Sequence, residues 1–378
     1  MDVDGAGDLL LTTWIQGLDG RLEVVLGDGA GGFETAAPFS TGNSPLGMAL
    51  SDLNGDGLPD VVVARFHPIQ SDVSVLLATG PGAYGPPVDY PVGVKAQDVA
   101  VADFDGDGNG DLAVANQDTD DVSVLLGVGD GTFLPAVSFA AGNGPSAVAA
   151  ADLDGDQVPD LAVANAFSDD VSILRGLGNG SFAPAQATPA GDWPIAIAVA
   201  ELNGDGVPDL ATANLVSHDA SILLGTGGGG FLPPTGFPAG TSPWDLTAAD
   251  LDGDGAQDLA VANSSSHDVT VALGQGDGTF AVLGTVPVGY GPRSIAAADL
   301  DGDGALDLAT ANTTTTDVSV LLGLGDGGFA PARNHMGGTS PQSDVIAVTD
   351  LDGDGDQDVV VANSGFLGDV AVLLNRIL

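Results

Sequence analysis

Nine-residue stretches close to D-x-D-G-D-G-x-x-D recur along the chain as DLNGDGLPD (52–60), DFDGDGNGD (103–111), DLDGDQVPD (152–160), ELNGDGVPD (201–209), DLDGDGAQD (250–258), DLDGDGALD (299–307) and DLDGDGDQD (350–358). If the glycines allow a tight loop, the side chains at positions 1, 3, 5 and 9 converge, and the carbonyl at position 7 can turn inward as a fifth donor. The candidate ligands are Asp52, Asn54, Asp56 and Asp60 in the first loop, Asp103, Asp105, Asp107 and Asp111 in the second, and Asp152, Asp154, Asp156 and Asp160 in the third. The fourth offers Glu201, Asn203, Asp205 and Asp209, and the fifth Asp250, Asp252, Asp254 and Asp258. Asp299, Asp301, Asp303 and Asp307 form the sixth set, and Asp350, Asp352, Asp354 and Asp358 the seventh. All of these donors are hard oxygens, a set that selects Ca²⁺ over zinc or copper. Magnesium usually keeps several waters and fits a protein-made cage less well.

The copies are not equal. Asn54 and Asn203 keep an oxygen while removing charge, and Glu201 is longer, so weaker sites are expected there. Gln157 stands where the other full loops have a bend glycine. A worn copy, DVDGAGD, opens the chain and is expected to hold no metal, because Ala6 takes an acidic position. The bend glycine matches that of an EF-hand loop, but each run closes with Asp at position 9 and is flanked by strand patterns, which excludes a helical EF-hand.

The whole composition follows from these loops. Of 378 residues 52 are acidic and 7 basic, a formal charge of −45, and all the acids except Glu23, Glu34 and Glu201 are aspartate. So lopsided a choice points to short carboxylates held in turns, where Asp bonds local backbone or a cation. Seven bound Ca²⁺ would offset about a third of the charge, so folding is expected to be linked to calcium. The field repels nucleic acid and anionic membranes, and no apolar run is long enough for a membrane-spanning helix. With 44% hydrophobic residues the chain has material for a core, and with no cysteine it has no disulfides. Met1 is followed at once by Asp2, so no secretory signal is expected in this chain.

The loops lie 49 to 51 residues apart, and each is embedded in the same sequence of short runs. After the loop comes an apolar run such as DLAVAN (111–116), then an alternating one such as DVSVLLG (121–127), a turn such as GDGTF (129–133), and a third run such as FLPAVSFAAG (133–142). A Gly-x-x-Pro signal then leads to an Ala/Val-rich fourth run, as in SAVAAADL (146–153). These read as four strands per period, A to D, with the acidic loop joining A to B. Four strands repeated radially make a β-propeller, in which the edges of each sheet are short and protected. Strand A belongs innermost, where blades converge and large side chains would collide. Eight blades, the first and last incomplete, fit the strand count better than seven. The whole chain, 1–378, is read as a single propeller domain, and its incomplete ends leave room for strand exchange with a neighbour.

The units resemble the FG-GAP/VCBS repeats of integrin α-subunit propellers and of many bacterial surface proteins, over essentially the whole chain. The specific mark is the D-x-D-x-D-G-x-x-D loop between strands A and B; the GGF (31–33, 327–329), GTF (131–133) and GSF (180–182) elements recur more loosely, and a strict GAP is missing. The resemblance implies structural calcium and an extracellular adhesion or ligand-binding scaffold, without naming a ligand.

Strand direction places the A–B loops and C–D turns on one face and the D–A and B–C loops on the other. The first set barely varies; the second does, and variable loops on a rigid scaffold are where binding usually resides. Phe66, Lys95, Trp193, Trp244, Tyr290 and Arg293 are the candidates on that face for a protein or glycan partner. His218-Asp219 and His267-Asp268 are read as surface polar pairs, because Asp120-Asp121 and Thr316-Asp317 fill the same place. The expected function is a non-enzymatic, calcium-binding scaffold for protein binding or surface assembly, followed by a lectin-like propeller. A calcium-dependent polysaccharide lyase comes third, since one lysine and four scattered histidines give few candidates for a base.

Overall fold

The computed structural model describes residues 45–336 apart from 70, 81–82 and 316. Outside that stretch it describes the strands Asp8–Thr13, Arg21–Gly27, Phe33–Thr35, Phe39–Ser40, Ser343–Thr349, Asp358–Asn363 and Val372–Leu373. Every regular element among the described residues is a strand. Residues 45–336 form six four-stranded antiparallel sheets, each with its strands in sequence order A-B-C-D, arranged as blades of a propeller. The second blade is typical: Ala96–Ala102, Asp111–Asn116, Asp121–Leu125 and Val137–Ala140.

Burial explains the four kinds of run. Strand B, DLAVAN or DLATAN, is buried along its whole length in blades two to six because neighbouring blades cover both of its faces. Strand C buries all but one or two residues in each of these blades, and strand D is the largely exposed outer edge. Strand A packs against the A strands on either side, around the axis, and so takes Ala and small residues as expected. Apolar clusters lie between blades. The one joining blades three and four, for example, gathers Leu153, Ile173, Leu210 and Leu223.

The expectation of eight blades is not supported. Beyond the six complete blades, strands from both ends of the chain share one sheet, in which Asp8–Thr13 lies parallel to Asp358–Asn363 at Leu11↔Val361. Its inner strand, Ser343–Thr349, packs against both Pro292–Ala298 and Pro45–Ser51, so the first and last repeats meet at one place in the ring. The physical reason is edge satisfaction: two incomplete blades would leave open strand edges that pairing the ends removes.

Each A–B pair of the six blades carries a register shift at the start of strand A, as between Ala96 and Asp98 or Pro243 and Asp245. A bulge repeated at this position re-aims the second residue of every inner strand.

Candidate metal centre

The acidic loop is organised by its first residue. In the second blade Asp103 Oδ1 accepts from the backbone N–H of Gly106 at 2.7 Å and Asp107 at 3.1 Å, and Oδ2 accepts from Gly108 at 2.9 Å. Asp105 and Asp107 each accept an N–H two residues on, from Asp107 and Asn109. The loop is thus a chain of Asx turns, which explains Asp over Glu: one methylene less places the oxygen on the local backbone. A carboxylate has about four lone-pair sites, so these bonds leave acceptor capacity for a cation.

Position 9 has a second task that the sequence did not reveal. Asp111 is fully buried; its Oδ2 accepts from Phe104 N–H at 2.8 Å and its Oδ1 from Gly127 N–H at 2.7 Å. Asp60, Asp160, Asp209, Asp258 and Asp307 make the same pair of bonds, to loop position 2 and to the second residue past strand C, or to its last residue at Gly274. Burial pushes the carboxyls of Asp111 and Asp160 up to about 6, against the pull of these N–H donors, and nearby loop aspartates push in the same direction. Asp60, Asp209, Asp258 and Asp307 are raised for the same reasons. A buried carboxylate beside like charges favours a cation, which stabilises its ionised form.

The residue at position 2 ties the loop to the next blade. Leu53, Phe104, Leu153, Leu202, Leu251 and Leu300 are buried. The carbonyls of the first four accept from Gly131, Gly180, Gly229 and Gly278 in the C–D turn of the following blade. Gly278 has φ +81°, and a Cβ there would lie 2.7 Å from a Leu224 methyl of the preceding blade, so the turn needs glycine both for backbone and for space.

In four loops three carboxylates bring ligand atoms within 4.8 Å of one another: Asp103, Asp105 and Asp111; Asp152, Asp154 and Asp160; Asp250, Asp252 and Asp254; and Asp299, Asp301 and Asp303. Ligands at about 2.4 Å from one Ca²⁺ lie at most about 4.8 Å apart, so each trio fits around a single ion. The donor set and its size therefore suit a hard divalent cation, whose charge would offset the crowding of carboxylates. Asp52, Asn54, Asp56 and Asp60 form no such acidic trio, nor do Glu201, Asn203, Asp205 and Asp209, in keeping with the amide in each. Glu201 Oε1 takes N–H bonds from Asn203, Gly204 and Asp205. The bond that position 6 gives to the second oxygen in the other described loops is missing at Gly206. In the third loop Gln157 is held at φ 69°, a left-handed conformation unfavourable for its side chain, and Arg175 Nη1 lies 3.7 Å from Asp154 Oδ2. Asp350, Asp352 and Asp354 lie outside the described residues, and Asp358 is described only as the start of a strand.

The six candidates on the opposite face do not form one patch. Lys95 lies 5.9 Å from the centre of the Phe66 ring and pairs with Asp118 at 2.9 Å. Trp193, 38% exposed, meets Phe167 edge-to-face, and Tyr290, 57% exposed, meets His267. Arg293 stacks on Trp244 at 4.4 Å beside the axis. The two B–C histidines have a structural role: Nδ1 of His218 accepts from Ser242 N–H and Nδ1 of His267 from Gly291 N–H, each 3.1 Å away in the next D–A loop. Asp120 and Asp169 do the same for Gly144 and Trp193. Sequence reasoning passed over Asp98 and Asp245, each the one charged residue of its inner strand; that interruption was the available signal.

These features define a repeat propeller with acidic hairpin loops on one face. Models of the FG-GAP-like repeat match residues 1–63, 52–114, 103–163, 153–212, 213–261, 250–310 and 306–361, and the chain belongs to this family. Comparison with curated proteins by sequence gives no match. Among solved structures, the chain is similar to an Agrocybe aegerita lectin described as recognising non-reducing terminal N-acetylglucosamine, with 23% identity over 88% of this chain and 91% of that one, and a TM-score of 0.59. It is also similar to a Lactobacillus plantarum protein, with 20% identity over 90% and 98% of the two chains and a TM-score of 0.64. The Pseudomonas aeruginosa periplasmic gluconolactonase has 17% identity over 87% and 96%, with a TM-score of 0.58. At these identities the likeness shows the fold. No helix among the described residues is long and apolar enough to cross a membrane.

Proposed function

We propose that this protein is an extracellular, non-enzymatic scaffold whose A–B loops bind structural calcium and whose D–A/B–C face carries the partner site. The observation that carries the reading is the division between faces. Aspartate trios recur in four loops, and the same loop type is hydrogen-bonded to the next blade. The opposite loops differ from blade to blade and hold exposed groups such as Phe167, Trp193 and Tyr290. Calcium at the trios locks neighbouring blades, and the rigid ring then presents the variable loops at low entropic cost.

The exposed Trp193–Phe167 pair also favours a glycan as partner, because an aromatic face with polar loop groups around it accepts a sugar ring. Likeness to a lectin structure supports this second reading. The test is binding of purified protein to a glycan array and to immobilised candidate surface proteins, with Trp193→Ala/Trp244→Ala alongside. Loss of binding with unchanged calcium affinity and melting supports the face assignment. Binding unchanged in the double variant removes these two residues from it.

A further inference from the structure

The bulge at the start of every inner strand turns side chains toward the propeller axis, and there they line a cavity of about 180 Å³ at the D–A/B–C end. Leu46, Ile195 and Val345 supply apolar wall; Asp98, Trp244, Asp245 and Arg293 supply the rest of its character. The aspartates stand out within the repeat. At the register occupied by Asp98 and Asp245, the other inner strands carry Gly47, Ala147, Ala196, Ser294 and Val345, so the fold does not need an acid there.

Among the described residues, the hydrogen bonds to both carboxylates come from neutral groups. Asp98 accepts from the N–H groups of Val99 and, at 3.0 Å, Val148. Asp245 accepts from Leu246 N–H, from Ser294 Oγ at 2.9 Å and from Ile295 N–H at 3.0 Å. All these donors are neutral, and the acceptor sites left over belong to groups that line the cavity. Enclosure by protein pushes both carboxyls up to about 6 despite the hydrogen bonds, and the charge of Asp98 adds to the effect at Asp245. Among the described lining residues, Arg293, stacked on Trp244, is the one base beside two acids, inside a molecule of net charge −45.

We infer that the axial cavity binds a small organic cation, a primary or secondary amine with a compact apolar body, its ammonium between Asp98 and Asp245 and its body against Ile195, Leu46 and Trp244. At about 30 Å³ per water the space holds roughly six waters, which suits a single ring or short chain of about six to nine non-hydrogen atoms. The site does not depend on the metal loops or on any macromolecular partner.

The probe is cyclohexylamine, compared with cyclohexanol, cyclohexanecarboxylate and methyl glucoside, by calorimetry and Trp fluorescence at pH 7.5 in calcium-containing buffer. Expected is one site per chain for the amine and binding at least about ten-fold weaker for the three analogues. Asp98→Asn and Asp245→Asn should each weaken the amine at least about ten-fold while far-UV circular dichroism shows the ring still folded, a check needed because both oxygens of each carboxylate accept a backbone N–H and the amide keeps only one of these acceptors. Asp130→Asn/Asp277→Asn, at exposed C–D turns, should leave binding unchanged. Equal binding of cyclohexanol or methyl glucoside overturns the inference. So does amine binding that survives both axial substitutions, which would mark diffuse attraction to the acidic surface, and so does no binding of the amine at all.

Discussion

Removal of divalent cations tests the reading of the acidic loops most directly. Take the four loops with a carboxylate trio as occupied. With a dissociation constant of about 0.1 mM and about 1 mM Ca²⁺, each site adds about 1.4 kcal/mol to the folded state. Four such sites give about 6 kcal/mol. An unfolding entropy of about 2.1 cal/mol/K per residue makes about 0.8 kcal/mol/K for a chain of this length, so the melting temperature should rise by about 7 °C on going from EDTA to calcium. The assay is calorimetry or circular dichroism in about 1 mM EDTA, CaCl₂ or MgCl₂ at about 0.15 M NaCl, which fixes the screening of surface charge. Asp252→Ala should lower the calcium-dependent part by about one quarter. A melting temperature that is the same in EDTA and in calcium, or an equal rise with magnesium, refutes the argument, the second by showing that screening and not a fitted oxygen cage is at work.

Gln157→Gly should raise stability by about 0.5–1 kcal/mol, by relieving the φ of 69° at the third loop against the greater freedom of an unfolded glycine, and should tighten calcium there; a fall in melting temperature would contradict the strain. Leu153→Ala should cost about 2–4 kcal/mol by opening a void between blades three and four, and a loss under about 1 kcal/mol in denaturant melts would show that loop position 2 does not pin the blades. Asp98 and Asp245 have folded-state values of about 6 against an ordinary 3.8, so the folded chain holds their protons more tightly than the unfolded one. Their ionisation therefore destabilises the fold increasingly as pH rises from about 4 to 6, and the effect of Asp98→Asn or Asp245→Asn on stability should be more favourable above pH 6 than at pH 4 by about 1–3 kcal/mol, the constant cost of the lost backbone acceptor cancelling between the two. Urea melts at the two pH values check this, and a gain confined to pH 4 would reverse the sign.

Much of the molecule was legible because its rules are short-range. The Asx turns of D-x-D-G-D-G need only neighbouring N–H groups, and the period-two runs around them need only one strand's pleat, so loop, strand and repeat could be read directly. Innermost placement of the Ala-rich strand followed from the size of its side chains. Partnerships between segments far apart in the chain could not be read in this way. Position 9 reads as one more metal donor, yet Asp111 also holds Gly127, sixteen residues on. His218 reads as a surface group, yet it accepts from Ser242 in the next blade.

The sequence by itself determined the repeat unit, the all-strand architecture and the acidic Asx-turn loops, since each depends on contacts within a few residues. Tertiary structure alone decided that the two chain ends share one sheet in place of forming two incomplete blades. It alone also turned Asp98 and Asp245, from blades 147 residues apart in the numbering, toward one cavity. Both outcomes depend on ring closure and on the bulge that opens each inner strand, and no local pattern encodes how many blades must come round before the first meets the last.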